Sequence, residues 1–157
     1  MGSEQRTYVV PGSLLDSGVW VALTFASHPF HRSAGEALRQ LSPDRPPCRI
    51  RATEISAFRL VTTPTIHRAF GVAGFSNTQA MQYLGMLFAE IGCVEVEEPA
   101  GTRELWLRLA GSTTASPKIW MDAYLAAVAI RGDMELITLD SGFREYGDDG
   151  LRVVLLG

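Results

Sequence analysis

The sequence predicts an α/β protein: a central parallel sheet with helices on both faces. Two observations carry that expectation. Short apolar runs of strand length alternate with longer segments of helical period, and carboxylates fall at the joins between them. Strand–helix–strand units cross over with one hand and give parallel neighbours, and the C-terminal edge of such a sheet is where open α/β proteins place their chemistry.

Taken in order, Tyr8 to Leu15 reads as a buried strand and Val19 to Phe25 as the first turns of a helix, with Asp16 at the join. Ser27-His28-Pro29-Phe30-His31 is a loop by its proline. A helical pattern through Ala34, Ala37, Leu38 and Leu41 follows and is ended by Ser42-Pro43-Asp44-Arg45-Pro46-Pro47. Cys48 to Arg51 reads as a short strand, and Thr53 to Thr63 as a helix with Ile55, Phe58, Leu60 and Val61 near one side, closed or kinked by Pro64. Gly71 to Phe75 is a loop. Ser76-Asn77-Thr78-Gln79 fits a capping box that starts a helix through Met81, Leu84, Met86, Leu87 and Phe88, stopping near Gly92.

Val94-Glu95-Val96-Glu97 alternates like a strand with one wet face, and Thr102 to Ala110 reads as a helix carrying Leu105, Trp106 and Leu109. After the polar stretch Gly111 to Pro117, Ile119 to Arg131 is a helix with an apolar surface of Ala123, Ala126, Ala127 and Ile130, ended at Gly132. Glu135 to Leu139 is a strand, Asp140-Ser141-Gly142-Phe143 a turn, and Arg152 to Leu156 the last strand. No linker interrupts this pattern, so 1–157 reads as one domain, large enough to bury roughly 70% of its unfolded surface.

Composition narrows the function classes. Cys48 and Cys93 belong to no metal-spaced pair and read as reduced core thiols, which suits the cytoplasm. Every apolar window is broken by Pro11, Asp16, Glu90 or Asp122 before the ~20 residues a membrane span needs, and Glu4, Pro11 and Asp16 interrupt the one candidate signal segment. A net charge of −3 argues against coating nucleic acid by bulk electrostatics but leaves local contact open. The basic residues are thirteen arginines and one lysine, Lys118, and arginine is the better bidentate partner for phosphate. There is no Gly-Lys-Ser/Thr phosphate loop and no dinucleotide-binding glycine fingerprint.

Four acids fall at equivalent points of the outline. Asp16 follows the first strand, Glu54 opens the helix after Cys48 to Arg51, Asp122 lies in the first turn of the Ile119 to Arg131 helix, and Asp140 follows Glu135 to Leu139. Singly, each reads as a cap, a helix-dipole partner or a turn residue. Jointly, four carboxylates on one sheet edge repel and raise their own pKa values unless a cation lies between them. Oxygen-only ligands select a hard ion, Mg²⁺ or Mn²⁺. One or two such ions can generate hydroxide at neutral pH and clamp the oxygens of a phosphodiester.

The run Leu15-Asp16-Ser17-Gly18-Val19-Trp20-Val21-Ala22-Leu23 is followed in order by His28-Pro29-Phe30-His31 and by Glu54 with Phe58-Arg59-Leu60-Val61-Thr62-Thr63-Pro64. Then come Trp120-Met121-Asp122-Ala123-Tyr124-Leu125-Ala126-Ala127-Val128-Ala129 and Thr138-Leu139-Asp140-Ser141-Gly142-Phe143. This ordered set resembles the PIN-domain toxins of the VapC family. The resemblance implies a PIN-like α/β/α sandwich and a Mg²⁺- or Mn²⁺-dependent endoribonuclease cutting transfer or ribosomal RNA. It also implies a VapB-type antitoxin that inhibits by entering the groove, and a homodimer. It carries the acidic cluster onto Asp16, Glu54, Asp122 and Asp140, makes Thr138 the hydroxyl that supports the acid two residues on, and leaves Ser17 as a nearby hydroxyl. Family members often carry asparagine two residues after the first aspartate, where this chain has Gly18. Gly18 keeps open the alternative of a PIN scaffold that binds RNA or protein without cutting. Phe58, Leu60, Leu84, Phe88, Trp106 and Trp120 are the candidates for lining partner grooves.

Overall fold

The computed structural model describes residues 12–157, so the part of the first expected strand before Gly12 lies outside the described residues. Five strands form one all-parallel sheet in the order β3-β2-β1-β4-β5. They are β1 (Ser13–Leu15), β2 (Pro47–Arg49), β3 (Val94–Glu95), β4 (Glu135–Thr138) and β5 (Arg152–Leu155). The helices are α1 (Ser17–Thr24), α2 (His31–Arg39), α3 (Arg51–Val61), α4 (Pro64–Ala69), α5 (Asn77–Glu90), α6 (Thr102–Ala110) and α7 (Ile119–Arg131), with a 3₁₀ helix at Ser141–Asp149.

The pleat divides the core in two. Leu15 and Ile137 face a cluster with Trp20, Phe25, Val61, Leu84 and Phe88, while Leu14 and Leu136 face one with Leu125, Val128, Met134, Phe143 and Tyr146. Successive strand residues point to opposite faces, so a parallel sheet covered on both sides needs near-continuous apolar strands, and β1 and β4 supply them. The expected α/β/α sandwich is what forms. Chain order runs outward from β1 in both directions, which makes the β1/β4 boundary the switch point where a crevice opens at the C-terminal edge.

Several element bounds move for local reasons. Arg51 begins α3 instead of ending β2, because the Thr53 hydroxyl donates to the Ile50 carbonyl (2.8 Å) and accepts from its N–H (3.2 Å), closing the helix start two residues early. Pro64 opens a helix of its own, the first-turn position at which a missing N–H costs nothing. His67 on that helix is buried and its Nε2 meets the Val61 carbonyl at 2.5 Å, so it satisfies the end of α3. His31 starts α2 and bonds the Ala22 carbonyl at 2.8 Å, and the His28 Nδ1 accepts from the Phe30 N–H at 3.0 Å. Each of the three thus spends one ring nitrogen on a local backbone bond. The Ser76/Gln79 capping box forms as expected, with the two reciprocal bonds at 3.1 and 2.9 Å. Cys48 and Cys93 are both free thiols. Among the described residues no helix is long and apolar enough to cross a membrane.

Trp20 is fully buried, with its ring edge on Phe88 at 4.9 Å, and its indole N–H has no partner among the described residues. Trp20→Ala is expected to cost about 3–5 kcal/mol by cavity formation. Trp20→Phe should cost markedly less, because it removes the orphaned donor and keeps a ring. Urea midpoints of the two variants check the order, and equal losses would show that the indole nitrogen carries stability.

Candidate active site

Asp16 ends β1 and caps α1. Its N–H bonds the Ile137 carbonyl at 3.0 Å, extending the β1/β4 ladder by one residue, and its Oδ1 accepts from the Ser17 N–H at 2.7 Å. Its Oδ2 accepts from the Thr138 hydroxyl at 2.8 Å, across the switch point. The same hydroxyl accepts from the Asp140 N–H at 3.0 Å, so Thr138 donates to the first acid and fixes the backbone of the last. Ser17 contributes through its backbone, its own hydroxyl standing 3.5 Å from Oδ1. Asp140 caps the 3₁₀ helix through Oδ1, which accepts from the Gly142 N–H at 2.8 Å. A Cβ at Gly142 would stand 3.0 Å from that oxygen, a tight contact that a larger residue would press on.

Asp122 reaches the cluster from the first turn of α7, and one turn before it stands Lys118. The Lys118 Nζ lies 2.6 Å from Asp140 Oδ2 and 3.5 Å from Asp122 Oδ2. Lys118 is the site residue that sequence reading missed. Its i, i+4 spacing to Asp122 is a local signal for a shared helix face, but the stronger contact is to a residue two elements away.

The electrostatics follow from this arrangement. Burial pushes the Asp16 carboxyl above its usual range, against the Thr138 and Ser17 hydrogen bonds, and the charge of Asp140 adds to the rise. Burial also raises Asp122, outweighing Lys118, with Asp140 and Asp16 adding to it. The Lys118 hydrogen bond and the Gly142 N–H hold Asp140 below its usual value. Lys118 is raised in turn by its bond to Asp140 and by the charge of Asp122. Three acids thus feel one another and share a single cation.

Glu54 stands apart from that exchange. It lies in the first turn of α3, with its Oε2 2.6 Å from Arg51 Nη1 and 3.6 Å from Arg49 Nε. Arg49 is itself packed over the Phe88 ring at 4.3 Å and donates to the Cys93 carbonyl at 3.2 Å. Burial pushes the Cys93 thiol up to about 11 and also raises Cys48, so neither thiol is a nucleophile at neutral pH.

Among the described residues no three His, Cys, Asp or Glu side chains stand close enough to close a metal shell by themselves. The donors at the switch point are nevertheless all oxygen, and burial has left two of them short of positive charge. That set suits a hard divalent ion taking one or two carboxylates and keeping water.

Two grooves flank this edge. One, of about 940 Å³, runs between α3 and α5 and is lined by Arg49, Glu54, Ile55, Phe58, Met81 and Phe88 among others. A second, of about 480 Å³, is lined by Trp106, Trp120 and Tyr124 with Arg103 and Glu98. Of the expected groove residues, Phe58, Phe88, Trp106 and Trp120 do line them, whereas Leu84 is fully buried and Leu60 packs on the core.

The PIN-domain family model matches residues 13–149. The chain is also 34% identical over 142 residues to Ribonuclease VapC41 of Mycobacterium tuberculosis, in strains CDC 1551 / Oshkosh and ATCC 25618 / H37Rv, covering 90% of this chain and 97% of that relative. The chain belongs to the VapC family of PIN-domain proteins.

Two solved VapBC structures share the fold. One is VapBC2 from Rickettsia felis bound to a DNA fragment from their promoter, with TM-score 0.64 and 14% identity over 92% of this chain and 98% of that one. The other is VapBC-1 from nontypeable Haemophilus influenzae, with TM-score 0.59 and 15% identity over 91% and 96%. At such identities the likeness is one of architecture. The family and the PIN-like sandwich expected from the ordered motifs are both borne out.

In this VapC protein the folded state raises Asp16, so ionising it opposes folding. Its protonated form contributes stability that is complete below the unfolded value near 3.8 and is lost as pH rises through the folded value. With metal chelated, Asp16→Asn is therefore expected to be more stable than the parent at pH 7, the gap closing below about pH 3.5. Urea midpoints at the two pH values check this, and a parent more stable than the variant at pH 7 would contradict it.

Proposed function

We propose that this VapC protein is a divalent-metal-dependent endoribonuclease, the toxin of a type II toxin–antitoxin pair. The single observation that carries the reading is the group at the β1/β4 switch point, where Thr138 joins Asp16 to Asp140 and Asp122 approaches with Lys118. The 34% likeness to a ribonuclease over nearly the full length of both chains supports it independently.

Asp16, Asp122 and Asp140 are the residues that would hold Mg²⁺ or Mn²⁺, with Glu54 as the fourth acid once it leaves Arg49 and Arg51. A divalent ion bound there supplies Lewis acidity and neutralises charge on a phosphodiester. The protein's own part is to orient the carboxylates and to meet the polyanion. Asp16 is fixed by two hydrogen bonds and cannot rotate away, and Asp140 is fixed through both its N–H and its Oδ1. Arg51 and Arg59, beside Glu54, are suited to bidentate contact with the RNA backbone. No side-chain nucleophile is required, which agrees with the raised thiols.

The substrate is cellular RNA, transfer or ribosomal by family precedent, and the protein acts in the cytoplasm. A VapB-type antitoxin is the partner, and the VapBC neighbours support that reading. The groove between α3 and α5, about 940 Å³ with a largely apolar lining, suits an amphipathic helix, with exposed Ile55 and Met81 among its lining. The active form is a homodimer.

A PIN scaffold that binds without cutting is the second reading, favoured by Gly18 alone. A Cβ there would meet only the Leu139 Cδ1, at 3.8 Å, so no clash at Cβ demands the glycine where relatives often carry asparagine.

Purified protein incubated with total RNA and Mn²⁺ should cut it, with a chelator control intact, and Asp122→Asn should lower the rate about a hundredfold or more without loss of folding. Gly18→Asn should fold normally and cut at least as fast as the parent. Metal-independent cleavage, or full activity of Asp122→Asn, would overturn the proposal; a parent that binds RNA without cutting it would establish the scaffold reading.

A further inference from the structure

We propose that Lys118 is the resident counter-cation of the acidic cluster, and that a divalent ion takes the cluster by displacing it. The inference rests on the metal-dependent reading above and concerns how the cluster is held before metal arrives. The Nζ stands 2.6 Å from Asp140 Oδ2 and 3.5 Å from Asp122 Oδ2, so it occupies oxygens that an entering cation would claim. Two cations on the same oxygens repel strongly at such range.

The chemistry of the residue suits displacement. Lysine is a point charge on a flexible four-carbon stem, and its side chain here is 68% exposed, so it can swing into solvent without disturbing the core. Its backbone carbonyl accepts from the Asp122 N–H at 3.5 Å at the start of α7, while its side chain makes no capping bond and is left to the acids. At Glu54 the two arginines differ: Arg49 is only 16% exposed in its side chain, packs on Phe88 and is built into the wall, whereas the nearer Arg51 is 63% exposed and as free to swing as Lys118.

Charge accounting gives the same direction. Asp16, Asp122 and Asp140 share one positive group, and Asp16 has no direct cationic partner among the described ion pairs. Lys118 therefore holds the cluster together without neutralising it, and a divalent ion completes what the lysine half satisfies. Lys118 acts here as a positioning residue: it touches the acids rather than the substrate.

Lys118 is also the sole lysine of the chain, so amine chemistry reports on it directly. The purified protein is labelled with a small amine-reactive ester with chelator or with saturating Mn²⁺, the chain's own N-terminal amine serving as internal reference. Displacement is expected to raise the Lys118 labelling rate at least about threefold over that reference. In parallel, Mn²⁺ binding is followed by loss of the free-ion EPR signal. Lys118→Gln is expected to bind Mn²⁺ about threefold or more tightly than the parent, and Lys118→Arg to stay near or below it. Mn²⁺ binding with unchanged Lys118 labelling, or a Lys118→Gln affinity equal to or weaker than the parent's, overturns this inference and leaves the metal reading intact. No Mn²⁺ binding by the parent overturns both.

Discussion

A single hydroxyl ties the site to the fold. Thr138 is fully buried at the end of β4, donates to Asp16 at the end of β1 and accepts from the backbone of Asp140. A carboxylate that buried needs donors, or it neutralises itself. The parallel pairing of β1 with β4 supplies one by register, because it sets Leu15 opposite Ile137 and leaves the next residues, Asp16 and Thr138, side by side at the crevice. The remaining architecture serves that meeting: α1 starts from Asp16, the 3₁₀ helix starts from Asp140, and α7 brings Asp122 to the same edge.

What was legible in the sequence is what local chemistry decides. The Ser76/Gln79 box states both halves of its hydrogen bonding within four residues, and α6 and α7 carry an uninterrupted helical period, so their bounds follow from the residues alone. The α4 helix was hidden because proline ends one helix and opens another with equal ease, and only the short link from Val61 to Pro64 decides between them. At the site, Asp16 and Asp140 were legible as acids directly after apolar strands. Lys118 was not, because its principal partner lies 22 residues away, and Glu54 was legible as an acid while its arginine partners were not.

The balance of charge also reads differently in three dimensions. The overall excess is acidic, and guanidinium groups stand beside part of it: Arg49 and Arg51 pair with Glu54 and Glu95, and Arg59 lines the adjoining groove. One edge of the sheet therefore carries carboxylates at its centre and guanidinium groups at its flank. Net charge alone does not show that pairing of opposite fields.

The bond between Asp16 and Thr138 spans 122 positions of the chain, and β1 meets β4 across the same distance. Contacts so remote form only after the intervening chain exists, which makes closure of the centre a late event in folding. During synthesis from the N-terminus, the first acid is made 122 positions before its donor and stays without it until Thr138 follows. A truncated product ending before Thr138 would lack the strand that completes the crevice. Long-range topology thus acts as a timer, withholding an assembled centre until β4 has been made.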